Sequence, residues 1–323
     1  MRNFEAMITS DLKFMRRAMQ LARLAGEGAH PNPMVGAVIV DDDTGLIVGE
    51  GWHRRCGEAH AEINAVCQAD ASGADLRRCT IYVTLEPCAH WGKTPPCARL
   101  LADRGVRRVV VGSVDPFAKV AGRGLEILRD AGVEVELAPD DVAAACRDIN
   151  PAFFTAHTSG RPYVILKWAQ SADGFIDRRR TPGEDAACLS TPATMRLVHQ
   201  LRAQVDAIAV GSGTELMDRP RLDCRLWPGG RAPRRVSFVR GLPLSDQLAD
   251  LYRQGVTSLL VEGGATLSGS FLAEGLWDLA RVETSPEQLG DGVAAPAFPC
   301  RMLPSSSVRI GKNELKTYKN TYK

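Results

Sequence analysis

The stretch that decides the fold of the first half is "YVTLEPCAHWGKTPPC" (82–97), which follows "HAEINAVCQA" (60–69). It opens with a short run of β-branched and aromatic residues, which predicts a buried strand that ends before a proline. The prolines before Cys97 and the glycine at position 105 predict a helix between them. Cys88 and Cys97 therefore lie at a strand end and a helix start. Three interpretations are open for this pair: a disulfide, a metal site or small core residues.

The segments around this stretch alternate between strand and helix patterns. "MVGAVIV" (34–40) and "VRRVVVGSV" (106–114) have the apolar pattern of buried strands, and "FMRRAMQLARLAG" (14–26) has one apolar helical face. Such alternation predicts a sheet with helices on both faces, a three-layer α/β/α domain over residues 1–155.

A second module is predicted after a break in the pattern. "FFTAHTSGRP" (153–162) is polar and contains glycine and proline, which marks a domain boundary. Residues 160–310 then return to α/β patterns. Residues 311–323 are polar and lysine-rich, and we predict that they form a disordered tail.

Composition excludes several classes of function. Of the 323 residues, 45% are hydrophobic and 24% are charged, and the net charge is +2, which predicts no general affinity for nucleic acid or membranes. No apolar run reaches the roughly 18 residues of a membrane helix, and the N-terminus lacks the apolar centre of a secretory signal. The nine cysteines are odd in number and scattered, which is typical of reduced thiols. We therefore expect a cytoplasmic protein without nucleic-acid or membrane partners.

One cluster of residue types points to a metal site. Taken singly, His60 could be a core histidine and Glu62 an ordinary acidic residue in the first turn of a helix. Together with Cys88 and Cys97, one imidazole and two thiolates make a soft, three-ligand set that suits zinc and leaves a fourth position open. Zinc lowers the pKa of bound water to about 7, and Glu62 can then move protons as a general acid and base. This is the H-x-E…P-C pattern of zinc-dependent deaminases.

The segment between the two cysteines is longer than in short-spaced deaminases. Eight residues intervene here, including His90, Lys93 and Thr94, where such enzymes have two. We interpret the insert as a segment that contacts substrate, while a solvated surface loop is the alternative for Lys93.

Four segments of the first half closely resemble the bifunctional riboflavin-biosynthesis deaminase/reductase family, almost continuously over residues 12–155. They are "HPNPMVGAVIV", "GEGWHRRCGEAHAE", "YVTLEPCAHWGKTPPC" and "DPFAKVAGRG". The resemblance implies a cytidine-deaminase-like fold that deaminates a phosphoribosylated diaminopyrimidinone. It makes His60, Cys88 and Cys97 the zinc ligands and Glu62 the catalytic proton shuttle. The residues that it implies for substrate binding are Asn32, His53, Lys93, Thr94 and Asp115. Many family members carry asparagine where this chain has Phe117.

The second half resembles the reductase domain of the same family, which has a dihydrofolate-reductase-like α/β fold and reduces the ribosyl group to ribityl with NADPH. From the residues alone, "VEGGATLSGS" (261–270) places two glycines before a helix start, where backbone N–H groups can hold a dinucleotide phosphate; an ordinary tight turn is the alternative. The resemblance implies catalytic roles for Lys167 and Glu262. It places NADPH against Ala169, Thr214, Asp218, Gly264, Ala265, Thr266, Leu267, Ser268, Gly269 and Ser270. It places the phosphoribosyl substrate against Arg202, Leu222, Arg225 and Glu262.

The reductase half also departs from the family. Cys188, Ala186 and Val239 replace a tryptophan, a serine and an aspartate of many members, and some tens of residues after Val239 are missing. The leading hypothesis is a zinc deaminase and NADPH reductase that forms a homo-oligomer through its reductase halves. The alternatives are a deaminase whose reductase half has decayed and serves assembly, a nucleic-acid deaminase, and a structural zinc module.

Overall fold

The computed structural model describes residues 4–91, 95–117 and 121–321, with side chains from residue 11 onward. The chain divides into two compact units, Met1–Thr158 and Ser159–Lys323, and this division falls inside the predicted boundary segment. No helix in the described ranges is both long and apolar enough to cross a membrane.

The first unit contains six helices and five strands within the described residues. The helices are α1 (Phe4–Arg23), α2 (Ala61–Ala71), α3 (Cys97–Asp103), α4 (Arg123–Asp130), α5 (Asp140–Arg147) and α6 (Pro151–Ser159). The strands are β1 (Gly36–Asp41), β2 (Ile47–Trp52), β3 (Cys79–Val83), β4 (Arg108–Val111) and β5 (Glu134–Leu137).

The five strands form one sheet in the order β2-β1-β3-β4-β5. β1 pairs antiparallel with β2 and β3, whereas β3, β4 and β5 are parallel. Alternate residues along the strands pack into two separate cores. One core includes residues of α2, α3 and α4, and the other includes residues of α1 and α5. The predicted three-layer α/β/α arrangement is therefore confirmed.

Close backbone packing fixes the helix that begins the metal site. A Cβ atom on Gly51 in β2 would lie 2.2 Å from Ala61 O and 2.5 Å from Ala65 N of α2. Only glycine lets the strand and helix approach so closely. α2 begins directly after His60, so this contact also positions that histidine.

The second unit contains nine strands and four helices in its described part. The strands are β6 (Tyr163–Gln170), β7 (Phe175–Asp177), β8 (Ala207–Ala209), β9 (Arg234–Val236), β10 (Ser258–Glu262), β11 (Leu279–Thr284), β12 (Val293–Ala294), β13 (Ser306–Ile310) and β14 (Asn313–Lys319). The helices are α7 (Pro192–Ala203), α8 (Ser212–Asp218), α9 (Leu244–Arg253) and α10 (Ala265–Ala273).

Seven of these strands form a continuous sheet in the order β13-β14-β11-β6-β10-β8-β9. The strands from β11 to β9 are parallel, and β13 and β14 add an antiparallel hairpin. α9 and α10 pack on one face and α7 on the other. After Val239 the chain is shorter than the family resemblance implies, and this shortening does not interrupt the sheet.

The prediction of a disordered tail at 311–323 is wrong for its described part. β14 is hydrogen-bonded on both sides, to β11 and to β13. Asn313 at its start is fully buried, and its amide donates to Leu189 O at 2.8 Å. The polar, lysine-rich composition suggested disorder, but backbone pairing with two neighbours does not depend on apolar side chains.

Candidate active sites

The three predicted metal ligands come from three separate elements of the first unit. His60 is the N-cap residue of α2, Cys88 follows β3, and Cys97 is the first residue of α3. The Cys97 backbone N–H donates to Cys88 Sγ at 3.2 Å, which holds the two cysteine segments together. All nine cysteines lie in the described ranges and are free thiols.

The donor atoms have the spacing of one tetrahedral ion. His60 Nδ1 lies 3.6 Å from Cys88 Sγ and 3.4 Å from Cys97 Sγ, and the three atoms lie within 4.8 Å of one another. Ligands of one tetrahedral zinc, with Zn–N near 2.0 Å and Zn–S near 2.3 Å, are about 3.5 Å apart. The residues therefore fit zinc in both donor type and geometry.

The chain itself favours a thiolate at this cluster. Hydrogen bonds from the Cys97 thiol and the His60 ring lower the pKa of the Cys88 thiol to about 4. The Cys88 sulfur, together with burial, raises the pKa of Cys97. One thiolate therefore forms readily, and a bound cation would favour the second because metal ligation requires the deprotonated sulfur.

Glu62 lies in the first turn of α2 and is 3% exposed. Burial, with the nearby Cys88 sulfur, raises the pKa of Glu62 to about 7. Its carboxyl group shares a cavity of ≈ 290 Å³ with His60 and Cys88. A proton-transfer group thus lies beside the donor set without belonging to it.

Three of the predicted substrate residues line the same cavity: Asn32, His53 and Asp115. The Asn32 amide donates to His53 Nε2 at 3.1 Å, so His53 Nδ1 carries the proton and donates to Ala59 O at 3.2 Å. Burial lowers the pKa of His53, which keeps this ring neutral at pH 7. Lys93 and Thr94, also predicted to bind substrate, lie outside the described residues.

Glu86, which the sequence reasoning missed, supports Asp115. Its buried carboxylate accepts backbone N–H groups of Asp115, Gly122 and Gly124 at 3.2, 3.0 and 2.9 Å. The Phe117 N–H in turn donates to Asp115 Oδ1 at 2.8 Å. Burial raises the pKa of Asp115 to about 6. The only signal in the sequence was the position of Glu86 beside the Pro-Cys pair.

Three aromatic side chains form another wall of this cavity. Phe117, Phe153 and His157 line it, and the His157 ring lies 5.0 Å from the Phe117 ring and 4.7 Å from the Phe153 ring. Phe153 and His157 belong to α6, at the predicted domain boundary. The sequence reasoning used this segment only as a boundary and so missed both residues.

The second unit has a cleft of ≈ 330 Å³ at the carboxyl ends of β8, β9 and β10. Half of the predicted NADPH set lines it: Thr214, Gly264, Thr266, Leu267 and Ser270. The other half does not: Ala169, Asp218, Ala265, Ser268 and Gly269. The Asp218 carboxylate is instead paired with Arg180.

The glycine turn before α10 fits a dinucleotide phosphate. Gly264 has φ +78°, and a Cβ atom there would lie 3.3 Å from both N and Cα of Gly211. Bare backbone from two loops therefore meets at the start of α10, where N–H groups and the helix dipole favour an anion.

The predicted catalytic pair of the second unit lies on adjacent strands. Lys167 of β6 and Glu262 of β10 are partners in the parallel register, and burial lowers the pKa of Lys167. Arg202 donates to both carboxylate oxygens of Glu262 at 2.8 and 2.7 Å. The Arg202 guanidinium is therefore already paired inside the chain, although it was predicted to contact substrate.

The remaining predicted substrate residues, Leu222 and Arg225, lie between α8 and β9. Leu222 is buried, and its backbone has φ +50°, which is rare for a residue other than glycine. Arg225 donates to Asp223 Oδ1 at 2.6 Å.

His199, missed by the sequence reasoning, lies on α7 and is fully buried, and its Nε2 atom has no hydrogen-bond partner among the described residues.

Comparison with known families matches each unit separately. The model of the cytidine and deoxycytidylate deaminase zinc-binding region matches residues 8–113, and the model of the RibD C-terminal domain matches residues 162–323. Fold and site together thus define a zinc-dependent deaminase fused to a reductase domain.

Relatives that match across most of this chain occur among known proteins and solved structures. The riboflavin biosynthesis protein RibD of Aquifex aeolicus is 32% identical over 94% of this chain and 95% of its own. That of Actinobacillus pleuropneumoniae is 44% identical over 76% of this chain and 63% of its own. A crystal structure from Thermotoga maritima, a diaminohydroxyphosphoribosylaminopyrimidine deaminase/5-amino-6-(5-phosphoribosylamino)uracil reductase, has a TM-score of 0.82 and 30% identity, covering 97% of this chain and 99% of that one. The chain belongs to the RibD family of riboflavin biosynthesis.

These matches confirm several predictions made from the sequence. The cytidine-deaminase-like and dihydrofolate-reductase-like folds, the deaminase and reductase activities and the two cofactors, zinc and NADPH, are those of the family. The roles of individual residues stay predictions.

Proposed function

We propose that the first unit converts 2,5-diamino-6-(5-phosphoribosylamino)pyrimidin-4(3H)-one to 5-amino-6-(5-phosphoribosylamino)uracil, and that the second unit then reduces the ribosyl group to ribityl. The name of the Thermotoga maritima relative supports this substrate and this order. The observation that carries the deaminase assignment is the cavity that joins Glu62, His60 and Cys88 to Asn32 and His53.

His60, Cys88 and Cys97 would hold the zinc ion. When bound, zinc supplies a hydroxide at neutral pH by lowering the pKa of water. Both thiols must be deprotonated to ligate it, and the N-cap position of His60 fixes its ring at the cavity wall.

Glu62 would move the proton of the deamination. Its carboxylate accepts a proton from the attacking water and passes it to the departing exocyclic amine of the pyrimidine. This assignment rests on position, because the carboxyl group is buried in the cavity beside the metal ligands. Asn32, neutral His53 and Asp115 offer amide, imidazole and carboxyl groups that would orient the pyrimidine edge.

The reductase half would work around Lys167 and Glu262. NADPH supplies a hydride to the ribosyl carbon when bound. Lys167 would donate a proton or hydrogen bond to the sugar oxygen, and the Arg202 guanidinium holds the Glu262 carboxylate in place beside it. Leu222 and Arg225 stay proposed substrate contacts, and Gly264–Ser270 proposed NADPH contacts.

We further propose a cytoplasmic enzyme that assembles into a homo-oligomer through its reductase units. The two cysteine ligands must stay reduced to bind zinc, which suits the reducing cytoplasm. The sequence resemblance supports the mode of assembly, which gel filtration with light scattering would measure.

The deaminase assignment is tested by the Glu62→Gln variant. We expect it to retain about one zinc per chain, because the three ligands are intact, and to lose deamination by on the order of 10²- to 10⁴-fold, because the proton shuttle is gone. Metal analysis and mass spectrometry of the pyrimidine product measure the two quantities.

Glu126→Gln is the matched control, since Glu126 is an exposed glutamate of α4 outside the cavity. It should keep both zinc and turnover. Full turnover by the Glu62→Gln variant would show that another group moves the proton.

A further inference from the structure

The aromatic wall of the first unit's cavity consists of Phe117, Phe153 and His157. Phe117 lies between β4 and α4, whereas Phe153 and His157 are one turn apart on α6. The His157 ring contacts both other rings, at 5.0 Å from Phe117 and 4.7 Å from Phe153, and both pairs meet edge to face. Such contacts stabilise aromatic pairs beyond the area that they bury. The three rings therefore support one another as a unit.

The backbone holds the aromatic wall in place and leaves part of its surface accessible. The Phe117 N–H donates to Asp115 Oδ1 at 2.8 Å, and Phe117 O accepts the Ala121 N–H at 2.9 Å. Phe153 and His157, four residues apart, share one face of α6. All three side chains are only partly buried and line the cavity. The wall is thus preorganised to contact a ligand.

The rest of the described lining suits an uncharged heterocycle. Hydrogen-bonding side chains come from other segments than the aromatic wall: Asn32 precedes β1, His53 follows β2, and Glu62 lies in α2. Among the described residues that line the cavity there is no lysine or arginine, so this part offers no permanent cation to a phosphate. The volume of ≈ 290 Å³ is at the lower end of small-molecule sites, which suits a single ring with its substituents.

A substituted pyrimidine has a matching distribution of polar and apolar surface. Its edge carries the amine, carbonyl and ring-nitrogen groups that form hydrogen bonds, whereas its two faces carry none. Aromatic side chains cover such faces by stacking, which any base accepts because every base has a π-face. Polar side chains at one part of the cavity and an aromatic wall at another therefore meet both needs of a bound pyrimidine.

We infer that the aromatic wall stacks on a face of the substrate's pyrimidine ring, and that Phe117 is a specificity-determining residue of the deaminase. The inference rests on the proposed deaminase function of this cavity. The asparagine that many family members carry at this position has no aromatic face, so this chain recognises the pyrimidine by a contact that those members lack there. A stacking contact is made equally in the bound substrate and in the transition state, so it acts on KM rather than on kcat.

Calorimetry on the zinc-loaded full chain tests the inference with two fragments of the substrate. 2,5,6-Triaminopyrimidin-4(3H)-one carries the pyrimidine without the sugar, and ribose 5-phosphate carries the sugar without the pyrimidine. Phe117→Ala should weaken binding of the triaminopyrimidinone on the order of 5- to 100-fold, as expected for the loss of base stacking, and should leave ribose 5-phosphate within about twofold. In turnover of the full substrate, KM should rise by the same factor while kcat stays within about threefold.

Two further variants separate stacking from an effect on folding. Phe117→Leu keeps much of the apolar volume but has no aromatic face, so it should retain about one zinc per chain and bind the triaminopyrimidinone nearly as weakly as Phe117→Ala. Phe154→Ala is the matched control, because Phe154 is the neighbouring phenylalanine of α6 and does not line the cavity. It should change neither affinity.

Three results would overturn the inference. Unchanged affinity of Phe117→Leu for the triaminopyrimidinone would show that the ring only fills space. Weaker binding of ribose 5-phosphate alone by Phe117→Ala would place the ring at the sugar instead. Equal weakening by Phe154→Ala would show a general disturbance of α6. The proposed function fails separately, since an unchanged protein that binds the triaminopyrimidinone but deaminates no substrate would contradict the deaminase and leave the stacking contact standing.

Discussion

At the scale of single residues, buried carboxylates fix the loops that carry the chemistry. Glu86 holds the backbone of Asp115 and of the segment that leads into α4 through three accepted N–H groups. Such a residue positions its neighbours rather than reacting. A sequence does not show backbone hydrogen bonds, so Glu86 could not be assigned a role, whereas the His60, Cys88 and Cys97 donor set could be predicted from ligand chemistry alone.

Asp173, whose side chain is exposed, also holds a loop of the second unit through hydrogen bonds and gives a prediction for pH. Its carboxylate accepts Ser171 Oγ at 2.5 Å and the N–H of Gly290 at 2.7 Å, and these bonds lower the pKa of Asp173 to about 2. The unfolded chain, with an aspartate pKa of about 3.9, binds more protons between these two values. The stability that Asp173 contributes is therefore complete above pH 4 and is lost as the pH falls toward 2.

Urea unfolding of the wild type and of Asp173→Asn measures this effect. The wild type should be the more stable at pH 5 to 6, by a margin that shrinks steadily as the pH is lowered through 4 toward 3. A margin that is constant over this range would mean that the carboxylate is not held in its charged form by the loop.

At the scale of elements, the sequence predicted strands and helices where packing against the core gives the apolar residues a regular spacing. "MVGAVIV" (34–40) predicted β1, which spans Gly36–Asp41, and the Pro-Pro-Cys start predicted α3, which spans Cys97–Asp103. β14 was missed because its stability comes from its neighbours rather than from its own residues. The short β9, with three residues, gave only a weak signal for the same reason.

The position of β14 between β13 and β11 predicts that the chain end is needed for folding. Truncation after Gly311 removes β14, leaves β11 as an unpaired edge and removes the Asn313 amide from the buried Glu283 carboxylate. Unpaired backbone is costly, and so is a buried carboxylate that keeps only the hydrogen bond from Ser190 Oγ. We expect the second unit to lose cooperative unfolding and NADPH binding, while zinc content and deamination persist in the first.

Circular dichroism and nucleotide titration of the truncated protein measure these losses. Truncation after Asn320, which keeps the whole of β14, is the matched control and should behave as the full chain. A chain that ends at Gly311 and still unfolds cooperatively with full NADPH binding would contradict the structural role of β14.

At the scale of the whole molecule, each unit holds its own candidate site. The residues of the zinc cavity come from the first unit and those of the nucleotide cleft from the second. The sequence grouped His60, Cys88 and Cys97 as one donor set, because metal ligation dictates residue type and spacing, but it missed Glu86, Phe153 and His157 in the same cavity. It predicted the second less well, because a nucleotide cleft is formed by backbone and loop ends whose meeting depends on strand order. The close approach of Gly264 to Gly211 is an example, since only the sheet brings the segments after β10 and β8 together.

The central claim is that one chain carries both activities, and the masses of its products test it most directly. The purified protein is given the diaminopyrimidinone ribosyl phosphate, first alone and then with NADPH. We predict that the product formed alone has exchanged one amine for a carbonyl oxygen, and that the product formed with NADPH has also gained two hydrogens. A deaminated product that gains no hydrogen with NADPH would contradict the reductase half, and an unchanged substrate in both reactions would contradict the account as a whole.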